Sequence, residues 1–194
     1  NALYAVKVNG AQLKAWLEHS ALRFNTIDPT RTEPQELVDP AHPTYNFDSM
    51  TSKDVSYLID VTQPPGKRIT ELRYRGQPIA LGREFLVATN SYRASGGGDF
   101  PGLDGSKTVL ASPDTNRDVL IAFIKKTGAI KRATFGQRAS WRFARVKTAG
   151  PVVFHSAPKV LQLAKEARLD GVSLLRADDG QGKGFSLYQI DLTK

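Results

Sequence analysis

Prolines and glycines limit how long any element of this chain can run, and that limit decides its class. Pro29, Pro34, Pro40 and Pro43 crowd the stretch from Asn25 to Pro43. Each lacks the N–H that a helix or a central strand requires, so the stretch reads as a long surface excursion. Pro64-Pro65-Gly66, Arg75-Gly76-Gln77-Pro78 and the glycines between Gly180 and Gly184 cut the rest into short pieces. Between the cuts the apolar period changes. Leu3 to Val8 alternates like a strand, and Leu13, Trp16, Leu17 and Ala21 recur at three and four residues like one face of a helix. Tyr57 to Val61, Ile69 to Tyr74 and Glu84 to Thr89 read as strands. Pro113-Asp114-Thr115-Asn116 starts a helix carrying Val119, Leu120, Phe123 and Ile124, which Gly128 ends. The tail reads as strands over Trp141 to Val146 and Val152 to His155, a helix over Val160 to Ala167, and strands over Val172 to Leu175 and Phe185 to Leu192. Helices mixed among clustered strands, without strict alternation, predict an α+β fold with a mixed sheet and packed helices. Residues 1–149 are expected to form the core, and residues 150–194 a strand-helix-strand extension of the same domain joined at Gly150-Pro151.

Charge narrows the partners. Among 194 residues, 27 Lys+Arg less 19 Asp+Glu leave +8, and 40% hydrophobic content is enough for a folded core. The apolar run Val119 to Ile124 stops at Lys125, far short of the roughly 20 residues a membrane helix needs. No cysteine is present, which removes disulfides, thiol nucleophiles and cysteine zinc sites. The chain begins at Asn1 with neither Met nor a signal peptide, and is read as a piece of a longer protein. Its densest basic stretch holds Lys125, Lys126, Lys131, Arg132, Arg138, Arg142, Arg145 and Lys147, interrupted by Gly128, Phe135, Gly136 and Trp141. Charge so dispersed reads first as a solvated face. The alternative is a basic nucleic-acid-binding or interaction module built on Trp141, Arg142, Arg145 and Lys147.

Chemistry-bearing constellations are scarce. His19, His42 and His155 each stand alone in sequence, outside any H-E-x-x-H spacing, so neither metal ligands nor catalytic residues are assigned. No G-x-S-x-G elbow occurs, and Gly96-Gly97-Gly98 lacks the G-K-[ST] of a P-loop. Asp178-Asp179-Gly180 reads as a turn. What remains is Tyr92 beside Gly96, Gly97, Gly98 and Asp99. Glycines let a flat ligand approach the backbone, the phenol offers a stacking face, and a carboxylate can accept from ribose hydroxyls. One stacked base contributes about 1–3 kcal/mol.

The string from Val87 to Phe100, with Asn90, Tyr92, Gly96, Gly97 and Asp99 inside it, resembles the C-terminal domain of the 5′-nucleotidase family, as does Gly66-Lys67-Arg68-Ile69-Thr70-Glu71-Leu72. Asn1 to Gly10, Thr44-Tyr45-Asn46-Phe47-Asp48, Ile59 to Pro64 and Leu187 to Leu192 are similar to its bacterial 2′,3′-cyclic-nucleotide 2′-phosphodiesterase/3′-nucleotidase branch. The resemblance implies the nucleotide-recognition part of a secreted or periplasmic metal-dependent phosphoesterase. An N-terminal metallophosphatase domain with two divalent metal ions would perform the hydrolysis, and this chain alone would be inactive without cofactors of its own. Its partners would be nucleosides or 2′,3′-cyclic and 3′-nucleotides together with that domain, with neither a membrane nor a nucleic-acid polymer. Substrate binding would fall to Tyr92 as a stacking aromatic, with Asn1, Asn90, Gly96, Gly97 and Asp99. Gly98 stands where relatives acting on 5′-nucleotides carry the ribose-binding Asp, so Asp99 is displaced by one position.

Overall fold

The step from Asn9 to Gly10 converts the first strand into the first helix through a reciprocal cap. The Gln12 backbone N–H donates to Asn9 Oδ1 and the Asn9 N–H to Gln12 Oε1, both at 2.9 Å. In the computed structural model, which describes residues 1–52, 54–131, 134, 140–167 and 169–194, this joins β1 (Ala2–Asn9) to α1 (Gly10–Ala21). The α+β class expected from the sequence is the one observed. The chain divides into two units, residues 1–20, 48–57 and 71–141 in one, and residues 21–47, 58–70 and 142–194 in the other.

In the first unit β1 is the central strand of an antiparallel sheet in the order β6-β1-β7, with β6 at Glu84–Asn90 and β7 at Thr108–Thr115. Val6 pairs with Val87, and Ala5 with both Ala88 and Leu110. Alternation turns Val6 and Val8 inward, where they join Leu13 and Trp16 of α1 with Ala94, Phe100 and Leu103 in one buried cluster. Lys7, between them, faces out and pairs with Glu84 at 2.8 Å. Strand β7 is absent from the sequence reading because Pro113 lies in it. Its place at the edge of the sheet is where a strand tolerates proline. The four-residue α2 (Ser91–Ala94) follows β6 without a break, and α3 (Asn116–Thr127) follows β7. Thr115 caps α3 by accepting from the Asp118 N–H at 3.1 Å, and Gly128 closes it, as its sequence predicts. The helix buries none of its apolar residues. Arg132, Phe135, Gly136 and Arg138, named in the basic stretch above, lie outside the described residues.

The second unit holds a sheet in the order β10-β11-β9-β2, with β2 at Gln35–Glu36, β9 at Val152–Ser156, β10 at Val172–Arg176 and β11 at Ser186–Ile190. The proline-rich excursion thus contributes an edge strand after all, β2 running parallel to β9 with Glu36 opposite Val153. Two residues suffice, because the prolines flank the pairing rather than occupy it. Helix α4 (Val160–Ala167) stands between β9 and β10 in the chain. Arg68 is buried, and its guanidinium donates to the carbonyls of Ala21 at 2.8 Å and Phe24 at 2.6 Å and to Thr26 Oγ1 at 2.8 Å. It answers carbonyls that the end of a helix would leave unsatisfied.

A further sheet has the order β5-β4-β3-β8, with β3 at Val55–Ile59, β4 at Ile69–Tyr74, β5 at Gln77–Pro78 and β8 at Trp141–Phe143. Tyr74 pairs with Gln77 around Arg75-Gly76, both at positive φ, the two-residue turn that matches strand twist. Strands end where Asp-x-Ser/Thr turns begin. Asp60 Oδ1 accepts from Thr62 N–H and Oγ1 after β3, and Asp191 Oδ1 accepts from the same groups of Thr193 after β11. These turns stop β3 and β11 short of Val61 and Leu192. At Asp28, Asp104 and Asp191 the hydroxyl of the turn, followed by its N–H, holds the carboxyl below the usual range.

Candidate functional site

Helix α2 exists because Asn90 caps it: the Arg93 backbone N–H donates to Asn90 Oδ1 at 2.8 Å. One turn is enough to fix two neighbouring side chains in opposite settings. Tyr92 is 48% exposed, whereas Arg93 is 3% exposed. The Gly97 N–H closes the turn onto the Tyr92 carbonyl at 2.9 Å. A Cβ built on Gly97 would lie 2.5–2.6 Å from three consecutive carbons of the Tyr92 ring. Near-equal distances to three ring atoms mean that the glycine covers the ring's face, not its edge. Only a residue without a side chain permits that approach. Gly96 and Gly98 hold φ of +98° and +81°, and Asp99 follows at +57°.

Beneath this loop, polar groups converge on the glycine carbonyls. Arg93 donates from Nε to Asp48 Oδ2 at 2.7 Å, from Nη2 to Asp48 Oδ1 at 3.1 Å, and from Nη1 to the Gly97 carbonyl. Asp48 Oδ2 also accepts from Trp16 Nε1 at 2.8 Å, and the Asp48 N–H donates to Ser20 Oγ at 3.0 Å. His19 Nε2 meets the Gly98 carbonyl at 3.0 Å. Phe100 lies against both side chains, 3.8 Å from the Arg93 guanidinium and 4.4 Å from the His19 ring. A trans peptide directs its C=O and the following N–H to opposite sides. With the Gly97 carbonyl drawn inward, the Gly98 N–H is turned outward, on the side of the loop away from Arg93.

Other residues expected at the site are placed as follows. Asn90 spends its side-chain oxygen on the cap. Asn1 is exposed beside the start of α2: the Ala2 N–H donates to Ser91 Oγ at 3.1 Å, and the Asn1 carbonyl accepts from Asn116 at 3.0 Å. Asp99 is exposed, its N–H turned back to the Gly96 carbonyl at 3.1 Å. Sequence reasoning missed Asp48, His19 and Trp16. Their partners lie between 32 and 79 residues away, and no spacing rule links such positions.

A cleft of about 630 Å³ in the same unit is lined by Leu13, Met50, Tyr74, Arg83 and Phe85 among others, with the Arg83 guanidinium 4.5 Å from the Tyr74 ring centre. Tyr57 is buried nearby in sequence, and burial pushes its phenol up to about 12. For the alternative reading, Arg142, Arg145 and Lys147 are exposed and Trp141 is half-buried. Exposure of that kind is shared by most surface cations and singles out no groove.

Residues 1–105 match the 5′-nucleotidase, C-terminal domain. The chain belongs to that family. Over its whole length the domain is 37% identical to a 2′,3′-cyclic-nucleotide 2′-phosphodiesterase/3′-nucleotidase of Haemophilus influenzae and 38% identical to the protein of that name from Salmonella typhimurium. It spans 31% and 32% of those two proteins, about a third of their length. Among solved structures it is similar to a Staphylococcus aureus protein described as a 5′-nucleotidase, with a TM-score of 0.54 at 22% identity over 74% of this chain and 27% of the other. That likeness supports the fold. The relatives carry the branch name that the motifs of the sequence suggest.

A second charged site lies in the other unit. His155 Nδ1 bonds Asp179 Oδ2 and its Nε2 bonds Glu36 Oε1, each at 2.9 Å. Read from sequence, His155 stood alone and Asp178-Asp179 was a turn. Asp178 does accept from the Gly180 N–H at 2.9 Å, but the Asp179 side chain is wholly buried against the histidine. Partial burial works against a charge on His155, and the hydrogen bonds and charges of Glu36 and Asp179 outweigh it, raising the imidazole above its ordinary value.

Proposed function

We propose that the domain is the nucleotide-recognition part of a phosphoesterase acting on 2′,3′-cyclic and 3′-nucleotides, with Tyr92 stacking on the base. The observation that carries this reading is the phenol covered on one face by Gly97 and left 48% exposed. A ring so held loses little freedom when a second flat surface meets it, and stacking contributes about 1–3 kcal/mol. The outward Gly98 N–H would donate to the bound nucleoside, and Asp99, Asn1 and the free amide face of Asn90 would border it. Asp48, Arg93 and His19 act at one remove, anchoring the two glycine carbonyls.

Hydrolysis belongs, in this reading, to an N-terminal metallophosphatase domain with two divalent metal ions. Among the described residues of this chain no three His, Asp or Glu are grouped to hold an ion. Where Glu36, His155 and Asp179 meet, the two carboxylates engage the two ring nitrogens on opposite sides and do not converge on one metal. The domain therefore contributes position: it holds the base so that the phosphoester is presented in one orientation, which lowers the entropic part of the barrier. A secreted or periplasmic setting is part of the proposal, and among the described residues no helix is long and apolar enough to cross a membrane.

The test is Tyr92→Ala in the full-length enzyme. KM for 3′-AMP should rise about tenfold or more, while KM for a phosphoester lacking a base stays within about twofold. Equal losses on both substrates would overturn the stacking role. The nucleic-acid module would instead bind more tightly to longer oligonucleotides and weaken steeply with salt.

A further inference from the structure

The cleft beside His155, about 420 Å³ in volume, falls within the size range of ligand pockets and lies wholly within the second unit. Its walls include Arg23, Glu36, His155, Gln181 and Lys183. The two carboxylates on His155 differ in permanence. Asp179 is locked: its side chain is inaccessible, its Oδ1 accepts from the Gln181 N–H at 2.8 Å, its own N–H donates to the Phe185 carbonyl at 2.9 Å, and Arg176 reaches its carbonyl at 3.4 Å. Glu36 is 49% exposed on an edge strand of two residues. A carboxylate only accepts, so a ring bonded to carboxylates at both nitrogens carries a proton on each.

Gln181 Nε2 lies 3.5 Å from His155 Nε2. With His155 protonated, both are donors and cannot bond one another. Two N–H groups side by side match the two oxygens of one planar carboxylate, and Glu36 supplies only Oε1 to the histidine. Among the described residues Lys183 makes no ion pair, and Arg23 commits Nη1 to the carbonyls of Asp39 and His42.

We propose that this cleft binds a small organic carboxylate, which displaces the Glu36 side chain from His155 Nε2 and is held there by Gln181, Lys183 and Arg23. Glu36 is then an internal competitor, and Asp179 the fixed support that keeps the ring oriented. The proposal is independent of the Tyr92 reading, since the two sites share no residue.

The 194-residue chain, isotopically labelled, is titrated at pH 6 with succinate, acetate, orthophosphate and adenosine, following the His155 ring and Gln181 amide signals by NMR. Succinate should give saturable shifts at both. Its affinity should fall by about tenfold or more between pH 6 and pH 9 as His155 loses its proton, in the field of Glu36, Asp179, Arg23, Arg176 and Lys183. Glu36→Gln should tighten binding by about threefold or more, and Lys183→Ala should weaken it about as much. Both positions are exposed, so neither result depends on whether a His155 variant folds. No saturable shift, orthophosphate binding as tightly as succinate, or indifference to Glu36→Gln would each overturn the proposal. Adenosine should leave His155 unmoved, and a shift there would overturn it as well.

Discussion

The glycine loop at Tyr92 and the cleft at His155 use their charges in opposite ways. Around Tyr92 the Arg93–Asp48 pair is turned inward, while Asp99 stays exposed. Arg93, backed by Asp48, is spent on a backbone carbonyl, and the Tyr92 ring beside the glycines is half exposed. Around His155 the buried Asp179 carboxylate is behind the ring, and Arg23, Glu36 and Lys183 line an opening. A site that must present one rigid surface hides its ions in the support. If the second cleft takes a carboxylate as proposed, the half-exposed Glu36 is its exchangeable partner. The first should be most sensitive to packing, and the second to the charge on His155.

Removing the carboxylate that pairs with buried Arg93 should break the first site most severely. Asp48→Ala leaves the Arg93 guanidinium buried without its carboxylate, and unfolding in urea should show a loss of about 3–5 kcal/mol. Asp48→Asn, which keeps an acceptor, should lose less. Next is Gly97→Ala, whose methyl would overlap the Tyr92 ring at 2.5 Å. Ring or loop must move, with a stability loss of about 1–3 kcal/mol. Because that shift destroys the covered face, nucleoside-induced changes in Tyr92 fluorescence should vanish in the same variant.

The histidine region should reveal itself through pH. With the His155 value raised on folding, its stabilising contribution is complete below the unfolded imidazole pKa of about 6.5 and is lost as pH rises through the folded value. Wild type and His155→Gln should therefore differ most near pH 6 and converge toward pH 9 in urea midpoints. Asp179 has the opposite sign. The Gln181 N–H, and then His155, depress its carboxyl against the effect of burial. Its contribution is present above about 3.9 and fades as pH falls through the lower folded value. The smallest effect belongs to Tyr92→Ala, where a half-exposed ring is removed and stability should change by about 0.5 kcal/mol or less. Stability kept while base recognition is lost would sharpen the division between surface and support. A large destabilisation would show the ring to be part of the core.

Sequence pattern reached as far as local chemistry reaches. Ile69–Tyr74 and Val160–Ala167 have the bounds their periodicity suggests, and Thr115 and Gly128 mark both ends of α3. Short elements escaped: α2 has a single turn, too little to show a period, and β2 and β5 have two residues each. Pro113 concealed β7, since a proline argues against a strand until its place at a sheet edge is known. Tyr92 and its glycines could be singled out as candidates because they are contiguous in the chain.

By itself the sequence determined the class of fold and the family, and it set Tyr92 beside a run of glycines, because those depend on composition, order and neighbours along the chain. Tertiary structure alone decided that Asp48 would brace Arg93 and that Glu36, His155 and Asp179 would meet. Glu36 and His155 are 119 residues apart, and Asp48 and Arg93 45. A hydrogen bond forms over about 3 Å whatever the length of chain between its partners, so only the folded path of the backbone can select them.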